Sequence, residues 1–419
     1  MENHPQLNSN HYSIIDLLES RPFSWIFVAD HHDPWRATAS WTLFFLLTFV
    51  APLVSHFAFQ CSACDYNHRR PFDWIVQVPL SVFSTLSFVS LLRFTRKYGL
   101  RRFLFLDELD AVGDKVRRRY SEELHRSTTL LYAFILPCVL ADGIYNIWWF
   151  TYGGTKIPYF YNVYISHAIA CMFHMSSWLY RTSLYLLVCV LFKLTCSLQI
   201  LRLDDFARVF EKLSDVGPIL VEHLTIRRNL RVISHRFRVF ILATLILVTA
   251  SQFASLLVTT VDGSIVDVFT TGELALCSIT LVFGMYICQR SAAKITHKAQ
   301  SLTSLVSKWH ICATIDTFVD TDTINESPTA NIIIPQMVDL DFDNEVGDGD
   351  DELDNTKFIP IYKHAISYQQ RQALVTYVEN NETGITVYGF MLDRTSINTV
   401  FAIQLSLALW LLDKTIGFA

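Results

Sequence analysis

Residues 165–192 read ISHAIACMFHMSSWLYRTSLYLLVCVLF and decide the fold of this chain. The stretch is apolar and longer than the roughly 20 residues that a helix needs to cross a bilayer. Its polar members His167, His174 and Arg181 are each separated by nearly two helical turns, so a helix places them on one face. Ionisable side chains within a span usually face the protein interior, because lipid solvates charge poorly. The stretch therefore predicts a membrane-spanning helix with one polar face.

Similar apolar runs recur along the chain, which has 419 residues, 51% of them hydrophobic and 17% charged. Soluble domains carry about 25% charged residues. The other long runs, with a shorter one close to the C-terminus, are Ala39–Phe59, Trp74–Phe94, Ser127–Phe150, Val239–Thr260, Val268–Cys288 and Ser396–Leu412. The sequence therefore predicts an all-α, polytopic membrane protein with seven transmembrane helices, for which the lipid bilayer is the first partner.

Lysine and arginine are concentrated in alternate loops. The loops after spans two and four are strongly basic, whereas the loop after span three contains only Lys156 and the loop after span five contains none. Cytoplasmic loops carry the excess of basic residues in membrane proteins. The N-terminus is therefore predicted inside and the C-terminus outside, although Arg69 and Arg70 in the first loop run against this pattern. This orientation is the reverse of a G-protein-coupled receptor and argues against that class.

Apolar residues continue at helical spacing beyond spans four and six, so spans four to six are expected to project from the membrane as long helices. A cytoplasmic helical bundle would result, and helices lying on the membrane surface are the alternative. The predicted segments are a cytoplasmic N-terminal segment (1–38), spans one to four (39–192), a cytoplasmic helical extension (193–238), spans five and six (239–289), a cytoplasmic helix with an acidic insert (290–384) and a split last span (385–419).

The acidic insert, at about residues 316–355, differs in composition from the rest of the chain. It collects aspartate and glutamate and has few aromatic residues, as in the run Asp348-Gly-Asp-Asp-Glu352. Such a segment buries too little apolar surface to offset the entropy of ordering it. The run also lacks the ligand spacing of a calcium-binding EF-hand loop. The sequence therefore predicts a disordered insert.

Two groups of residues point to a ligand cavity in the outer halves of the spans. Aromatic residues crowd the outer ends of spans three and four, and polar residues lie within spans four, five and six. Small-molecule pockets are typically aromatic with a few placed polar groups. The alternatives are an interfacial aromatic belt and hydrogen bonds between helices. The candidate residues for an unidentified small-molecule ligand are Tyr145, Trp148, Trp149, His167, His174, Arg181, Ser251, Gln252 and Glu273.

The last span is interrupted. The apolar stretch Gly384–Leu392 is followed by Asp393 and Arg394, which predicts two helical pieces, one cytoplasmic and one in the membrane. In the second piece small and polar residues share one face, and such a face either lines an aqueous path or packs closely against another helix. The candidate pore-lining residues are Thr395, Thr399, Ala402, Ser406, Leu409 and Asp413.

The chain lacks the motifs of common enzymes. It contains no glycine-rich phosphate loop, no Gly-x-Ser-x-Gly elbow and no His-Glu zinc-protease pair. Cys61 and Cys64 are expected to form a local disulfide or to stay free thiols, and no cysteine or carboxylate shares the polar face of span four at ligand spacing. The basic loops follow from membrane topology. No enzymatic activity, catalytic residue, cofactor, metal site or nucleic-acid partner is therefore predicted.

Both ends of the chain carry a family resemblance. The segments concerned are Asp30-His-His-Asp-Pro-Trp-Arg36 before span one, and Val387-Tyr-Gly-Phe-Met-Leu-Asp-Arg394 and Leu409-Trp-Leu-Leu-Asp-Lys-Thr-Ile-Gly-Phe418 at the end. With the predicted topology, they resemble the insect gustatory and odorant receptors and, more closely, the plant gustatory-receptor-like proteins. The resemblance covers nearly the whole chain but rests on few sharp motifs.

The resemblance implies a homotetrameric, ligand-gated cation channel. In the insect family the outer part of the last span lines a central pore, cytoplasmic helices anchor the subunits, and ligands bind among the outer halves of the other spans. By resemblance, Ser396–Leu412 is the pore helix and Gly384–Leu392 belongs to the anchor. One departure is that the insect signature near the chain end, Thr-Tyr, five apolar residues and then Gln-Phe, is absent, since Gln404 is not followed by Phe.

Two alternatives share the fold, a non-conducting membrane scaffold and a small-molecule transporter. The transporter would need paired broken helices, usually in two related halves, and the sequence shows one broken span and no internal repeat. The location is a plasma membrane or an endomembrane, and the sequence does not distinguish them.

Overall fold

The structure is a computed structural model that describes residues 34–58, 73–98, 114–152, 163–209, 216–261, 268–322, 368–381 and 383–416. The described residues are almost entirely helical. A π-helical turn, Leu46–Val50, joins the first two helices. The elements in chain order are α1 (Pro34–Phe45), α2 (Ala51–Ala58), α3 (Asp73–Tyr98), α4 (Asp114–Tyr152), α5 (Val163–Val209), α6 (Val216–Val261), α7 (Val268–Asp322), α8 (Tyr368–Glu379), β1 (Thr386–Val387), β2 (Phe390–Met391) and α9 (Arg394–Ile416).

Six helical stretches in the described part of the chain are long and apolar enough to cross a membrane. They coincide with the six longest apolar runs of the sequence, so the chain is an integral, multi-pass membrane protein. The helix α9 is not among the six, and the seventh span and the orientation stay predictions. The six stretches are Ala37–Phe57, Asp73–Phe94, Arg118–Thr151, Tyr164–Ala207, Val216–Leu257 and Gly272–Ile311.

The helices α5, α6 and α7 are 47, 46 and 55 residues long. At 1.5 Å per residue each spans roughly 70 Å or more, against roughly 30 Å for the hydrocarbon core of a bilayer. Each helix is therefore much longer than a membrane crossing needs. The chain forms two compact units, one of residues 1–202, 227–298 and 384–419, and one of residues 203–226 and 299–383.

The helix α5 lies at the centre of the larger unit. In its most apolar stretch 72% of the residues are buried, against 22% for α4. It approaches α7 closely at Gly284, where a Cβ atom would meet the Tyr185 ring, with the tyrosine hydroxyl oxygen only 2.8 Å away. The Tyr185 hydroxyl donates a hydrogen bond to the Leu281 carbonyl at 3.0 Å. Glycine at position 284 therefore allows two long helices to pack around a buried tyrosine.

The π-helical turn before α2 has a local cause. Pro52 has no N–H, so the Thr48 carbonyl four residues earlier loses its helical donor. The Ser81 hydroxyl of α3 donates to that carbonyl at 2.9 Å, and the Ser177 hydroxyl of α5 donates to the Leu47 carbonyl at 2.6 Å. Neighbouring helices thus satisfy backbone groups that the irregular turn frees, as membrane interiors require.

The prediction of a helical piece over Gly384–Leu392 is wrong. Strands β1 and β2 form an antiparallel hairpin in this stretch, in which Thr386 pairs with Met391 and Val387 with Phe390. Tyr388 and Gly389, the two turn residues, have φ angles of 49° and 92°, and hairpin turns with positive φ at both central positions favour glycine. In chain order, this hairpin lies between α8 and α9.

The hairpin is held by backbone donors. The Ile385 N–H donates to the Thr296 hydroxyl and the Thr386 N–H donates to the Ser234 hydroxyl, both at 3.1 Å. The Arg238 guanidinium lies 5.2 Å from the centre of the Tyr388 ring. These contacts tie the start of α9 to α6 and α7.

The smaller unit has its own core. Phe206, His223 and Tyr377 are close to one another, with ring centroids 6.4 Å apart for the first two and 5.8 Å for the last two. The Ser307 hydroxyl donates to the Glu379 carboxylate at 3.1 Å. The predicted N-terminal segment before residue 34, the Cys61–Cys64 pair and the acidic insert beyond residue 322 lie outside the described residues.

Candidate functional site

Arg181 is the centre of a buried polar network in the larger unit. Its side chain is 1% exposed. The guanidinium donates to the Gln77 side-chain oxygen at 2.7 Å, to the Ser81 hydroxyl at 3.3 Å and to the Ser177 carbonyl at 3.2 Å. A further contact joins it to the Gln77 carbonyl at 3.4 Å. A buried guanidinium loses its hydration, and several hydrogen bonds to the protein are needed to offset that cost.

Two carboxylates extend the network. The Gln77 amide nitrogen lies 3.1 Å from the Asp73 carboxylate and 3.5 Å from that of Glu273. His174 reaches Glu273 through Nε2 at 3.5 Å, and its Nδ1 lies 3.2 Å from the Ser55 hydroxyl. His56 Nδ1 lies 3.2 Å from Asp73. Side chains of α2, α3, α5 and α7 therefore meet in one network.

The network contains more acidic than permanently basic groups. Arg181 lies within electrostatic reach of three acidic residues, Glu273, Asp73 and Asp142. His174 and His56 can each add one positive charge by protonation. Charges in a low-dielectric interior are costly unless they are balanced. The site is therefore suited to receive positive charge, from protons or from a cation.

A cavity of about 340 Å³ adjoins the network at Glu273. Its volume is within the range of about 300–1,000 Å³ that is usual for small-molecule sites. The Tyr145 and Trp148 rings are 6.3 Å apart and inclined at 35° to each other. A Cβ atom on Gly272 would meet nothing within 4 Å, so this glycine borders open space. The cavity is lined by Ala141, Asp142, Ile144, Tyr145, Trp148, Gly272, Glu273 and Leu276.

The structure divides the predicted ligand-binding residues among several places. Tyr145, Trp148 and Glu273 line the cavity. His174 and Arg181 lie in the network that shares Glu273. The polar face predicted for span four is thus a set of hydrogen bonds between helices, and it also borders a cavity.

Trp149 and His167 lie elsewhere. Trp149 is 1% exposed and packs in a separate core cluster with Phe150 and Cys171. His167 Nδ1 lies 2.9 Å from the Phe150 carbonyl. Neither residue lines the cavity beside Glu273. Trp149 directly follows Trp148, and adjacent residues of a helix point in different directions.

The two predicted residues of span five are also separate from this cavity. The Ser251 carbonyl accepts a hydrogen bond from the Ser255 hydroxyl at 2.8 Å. Gln252 lines a different cavity of about 410 Å³, between α4, α6 and α7. That second cavity is lined by Phe134, Gln252, Ser278, Ile279, Val282, Phe283 and Tyr286.

Several residues of the site were absent from the predicted set. Asp73 and Gln77 are four residues apart on α3 and meet the network from the same side. Their spacing puts them on one face of an apolar span, which is the signal that marked span four. Gly272 also lines the cavity. No periodic pattern identifies a glycine that borders a cavity.

The predicted pore-lining face of α9 lies on the surface of the single chain. Thr395, Thr399, Ala402, Ser406 and Leu409 are all exposed. The opposite side contains the half-buried Val400, Phe401 and Gln404. The Gln404 amide donates to the Thr249 hydroxyl at 2.6 Å, which fixes α9 against α6. Asp413 lies on α9, but its side chain is outside the described part of the chain.

Asp393 explains where α9 begins. Its carboxylate accepts hydrogen bonds from the Ser396 N–H and the Ser396 hydroxyl, both at 2.6 Å. An aspartate in this position caps the free N–H groups of the first helical turn. The same hydrogen bonds hold the pKa of the Asp393 carboxyl below its usual range. The polar pair that interrupts the apolar sequence is therefore a helix start.

No group of three or more His, Cys, Asp or Glu side chains suited to a metal ion occurs in the described ranges. The cysteines described at positions 138, 171, 189, 196, 277 and 288 are buried thiols.

Comparisons with known proteins agree with this architecture. A family model described as "Protein of unknown function (DUF3537)" matches residues 18–403. The insect olfactory receptor OR5 from Machilis hrabei superposes with a TM-score of 0.57 and 11% sequence identity, covering 93% of each chain. The same receptor in complex with eugenol gives a TM-score of 0.53 and 11% identity, covering 93% of this chain and 94% of the receptor. No curated protein matches the sequence.

At this identity the likeness shows the fold. The chain has the fold of an insect olfactory receptor over nearly its whole length. This finding confirms the part of the sequence resemblance that concerned insect odorant receptors. It also confirms a helical, multi-pass membrane protein of chemoreceptor-like architecture.

Proposed function

The chain belongs to the DUF3537 family of proteins of unknown function, and on that premise we propose that it is a homo-oligomeric, ligand-gated cation channel. In this proposal α9 lines a central pore, and the cavity between α4 and α7 binds the small molecule that opens it. The seventh span, the inside N-terminus and a tetrameric assembly belong to the same proposal. They are supported by the basic loops and by the receptor fold.

The observation that carries the proposal is the exposed polar face of α9. Thr395, Thr399 and Ser406 face outward from the single chain in a mainly apolar helix. The Thr399 hydroxyl donates to the Thr395 carbonyl of the same helix at 2.8 Å. An aqueous path or a second helix would suit the outward-facing hydroxyl groups better than lipid does. Several copies of α9 around one axis would turn these residues inward. Leu409, which is 58% exposed, would then form a hydrophobic constriction.

The cavity supplies the ligand-binding part of the proposal. It is lined by aromatic and acidic side chains and borders the buried network around Arg181. The similar insect receptor has been solved in complex with eugenol, a small aromatic molecule. A ligand at Glu273 would change the interactions of His174 and Gln77, which belong to α5 and α3. Ligand binding would in this way bias the packing of several helices at once.

The proposal is tested by reconstituting the purified full-length protein into lipid vesicles and into planar bilayers. A particle of several copies and a cation-selective current are expected. Replacing Asp413 with Lys should lower cation preference, because a basic ring near the pore mouth repels cations. A single-copy particle without current would support the non-conducting scaffold instead, and saturable solute uptake without current would support a transporter.

A further inference from the structure

The wall of the cavity between α4 and α7 combines acidic and aromatic side chains. Asp142 and Glu273, both buried, supply carboxylates, and Tyr145 and Trp148 supply aromatic rings. We propose that the ligand of this cavity is an organic cation, specifically an aromatic amine whose ammonium group lies between the two carboxylates. This inference rests on the proposed function, because it names the class of ligand for that same site.

The charges around the cavity favour a cation. Asp142 is 2% exposed and Glu273 is 7% exposed, and both interact electrostatically with Arg181. Asp73 is a third carboxylate near the same guanidinium. A bound ammonium group would be attracted by the carboxylates that line this wall. An anionic ligand would face two carboxylates and be repelled.

The aromatic side chains complete the match. The Tyr145 and Trp148 rings stand one helical turn apart on the same wall as Asp142. Aromatic faces attract ammonium groups through their electron-rich surfaces, and they also pack against a ligand ring. Carboxylates beside aromatic faces are a combination that recognises an amine with an aromatic body.

Two other sources of positive charge compete with an amine. A metal ion is disfavoured, because the described residues contain no group of three ligating side chains. Protonation of His174, which lies 3.5 Å from Glu273, or of His56, which lies 3.2 Å from Asp73, would also balance the charge. If histidine protonation balanced the charge, an amine would bind no more tightly than a neutral molecule of the same shape. The comparison between an amine and its neutral analogue therefore decides the matter.

The experiment measures binding of phenethylamine and of 2-phenylethanol to the detergent-purified full-length protein by calorimetric titration. The two molecules differ in an ammonium group against a hydroxyl. The amine should bind about tenfold or more tightly than the alcohol, because charge-assisted hydrogen bonds exceed neutral ones. Asp142→Asn should bring the two affinities close together, whereas Asp142→Glu should preserve most of the preference for the amine.

Gly272→Leu is the second variant and tests the place of binding. A side chain at this position enters open space, so it fills the cavity without meeting neighbouring atoms at its Cβ. It should weaken both molecules about tenfold or more. Equal affinities in the parent protein, no binding of the amine, or an unchanged preference in Asp142→Asn would each overturn the inference, as would Gly272→Leu without effect.

Recording currents from the same preparations separates this inference from the proposed function. Selective amine binding without any current would leave the inference standing and contradict the channel. A ligand-gated current with no preference for the amine would do the reverse.

Discussion

The helices α5 and α9 carry similar polar stripes in opposite surroundings. On α5, Arg181 is 1% exposed and donates hydrogen bonds to α3 and to its own helix. On α9, Thr395, Thr399 and Ser406 are exposed, and the described contact of the helix with α6 runs through Gln404 on the other side. The first stripe is completed within one chain. The second faces outward from the described part of the chain, where lipid or another copy of the chain could meet it.

A polar stripe in an apolar helix therefore does not by itself indicate the function of that helix. The α5 stripe is a structural network that also borders a cavity. The α9 stripe has no such network in the single chain as described, and its role depends on assembly. Substitutions on α5 should therefore damage the fold of each chain. Substitutions on the exposed face of α9 should alter assembly or conduction while leaving the chain folded.

The largest expected effect is from Arg181→Leu. The substitution removes the donors to Gln77 and Ser81 and leaves the carboxylates around Arg181 without their fixed positive charge. Each buried polar group that loses its hydrogen-bond partner costs about 1–3 kcal/mol, and more where the group is charged. Thermal unfolding of the detergent-purified protein should show a strongly lowered melting temperature or loss of the monodisperse particle.

Leu184→Ile is the matched control for Arg181→Leu. Leu184 is fully buried on the same helix, and a change of shape at constant volume costs less than about 1.5 kcal/mol. If both variants melt at the same temperature, the network does not stabilise the fold, and the contrast between α5 and α9 loses its basis.

A smaller effect is expected from two glycines of α7. In Gly284→Ala the new Cβ meets the Tyr185 ring, so α5 and α7 must move apart or the ring must shift. Overpacking of this kind costs about 1–3 kcal/mol. In Gly272→Ala the Cβ meets nothing, and alanine gains up to about 1 kcal/mol of helix propensity over glycine. Chemical denaturation should place the two variants on opposite sides of the parent. If Gly284→Ala were instead as stable as the parent or more stable, α5 and α7 would be loosely packed at this position.

The architecture followed from the sequence because spanning length and apolar composition are local properties. Each of the six long runs overlaps a membrane-length helical stretch. The hairpin at Thr386–Met391 was missed because an apolar run suits a strand as well as a helix. The signal lay in Tyr388-Gly389, since a turn with positive φ at both positions favours glycine.

The site could be predicted only in part. The stripe on α5 identified His174 and Arg181 as inward-facing, but their partners Gln77 and Glu273 are distant in the chain. Periodicity gives the direction of a side chain and not the helix it meets. Aromatic density likewise could not separate Trp148, which lines the cavity, from its neighbour in the core, Trp149.

In the proposed channel, the exposed face of α9 meets water in a pore. The most direct measurement compares the reaction of Ser406→Cys and Val400→Cys with a small, water-soluble thiol reagent during current recording. Ser406 is exposed on the proposed pore face, and Val400 is half-buried on the opposite side. The unsubstituted protein, treated with the same reagent, gives the background reaction of the native cysteines. The thiol reagent should block the Ser406→Cys current at a rate about tenfold or more above that of Val400→Cys. Equal rates, or no reaction at either position, would contradict it and make the stripe a packing surface.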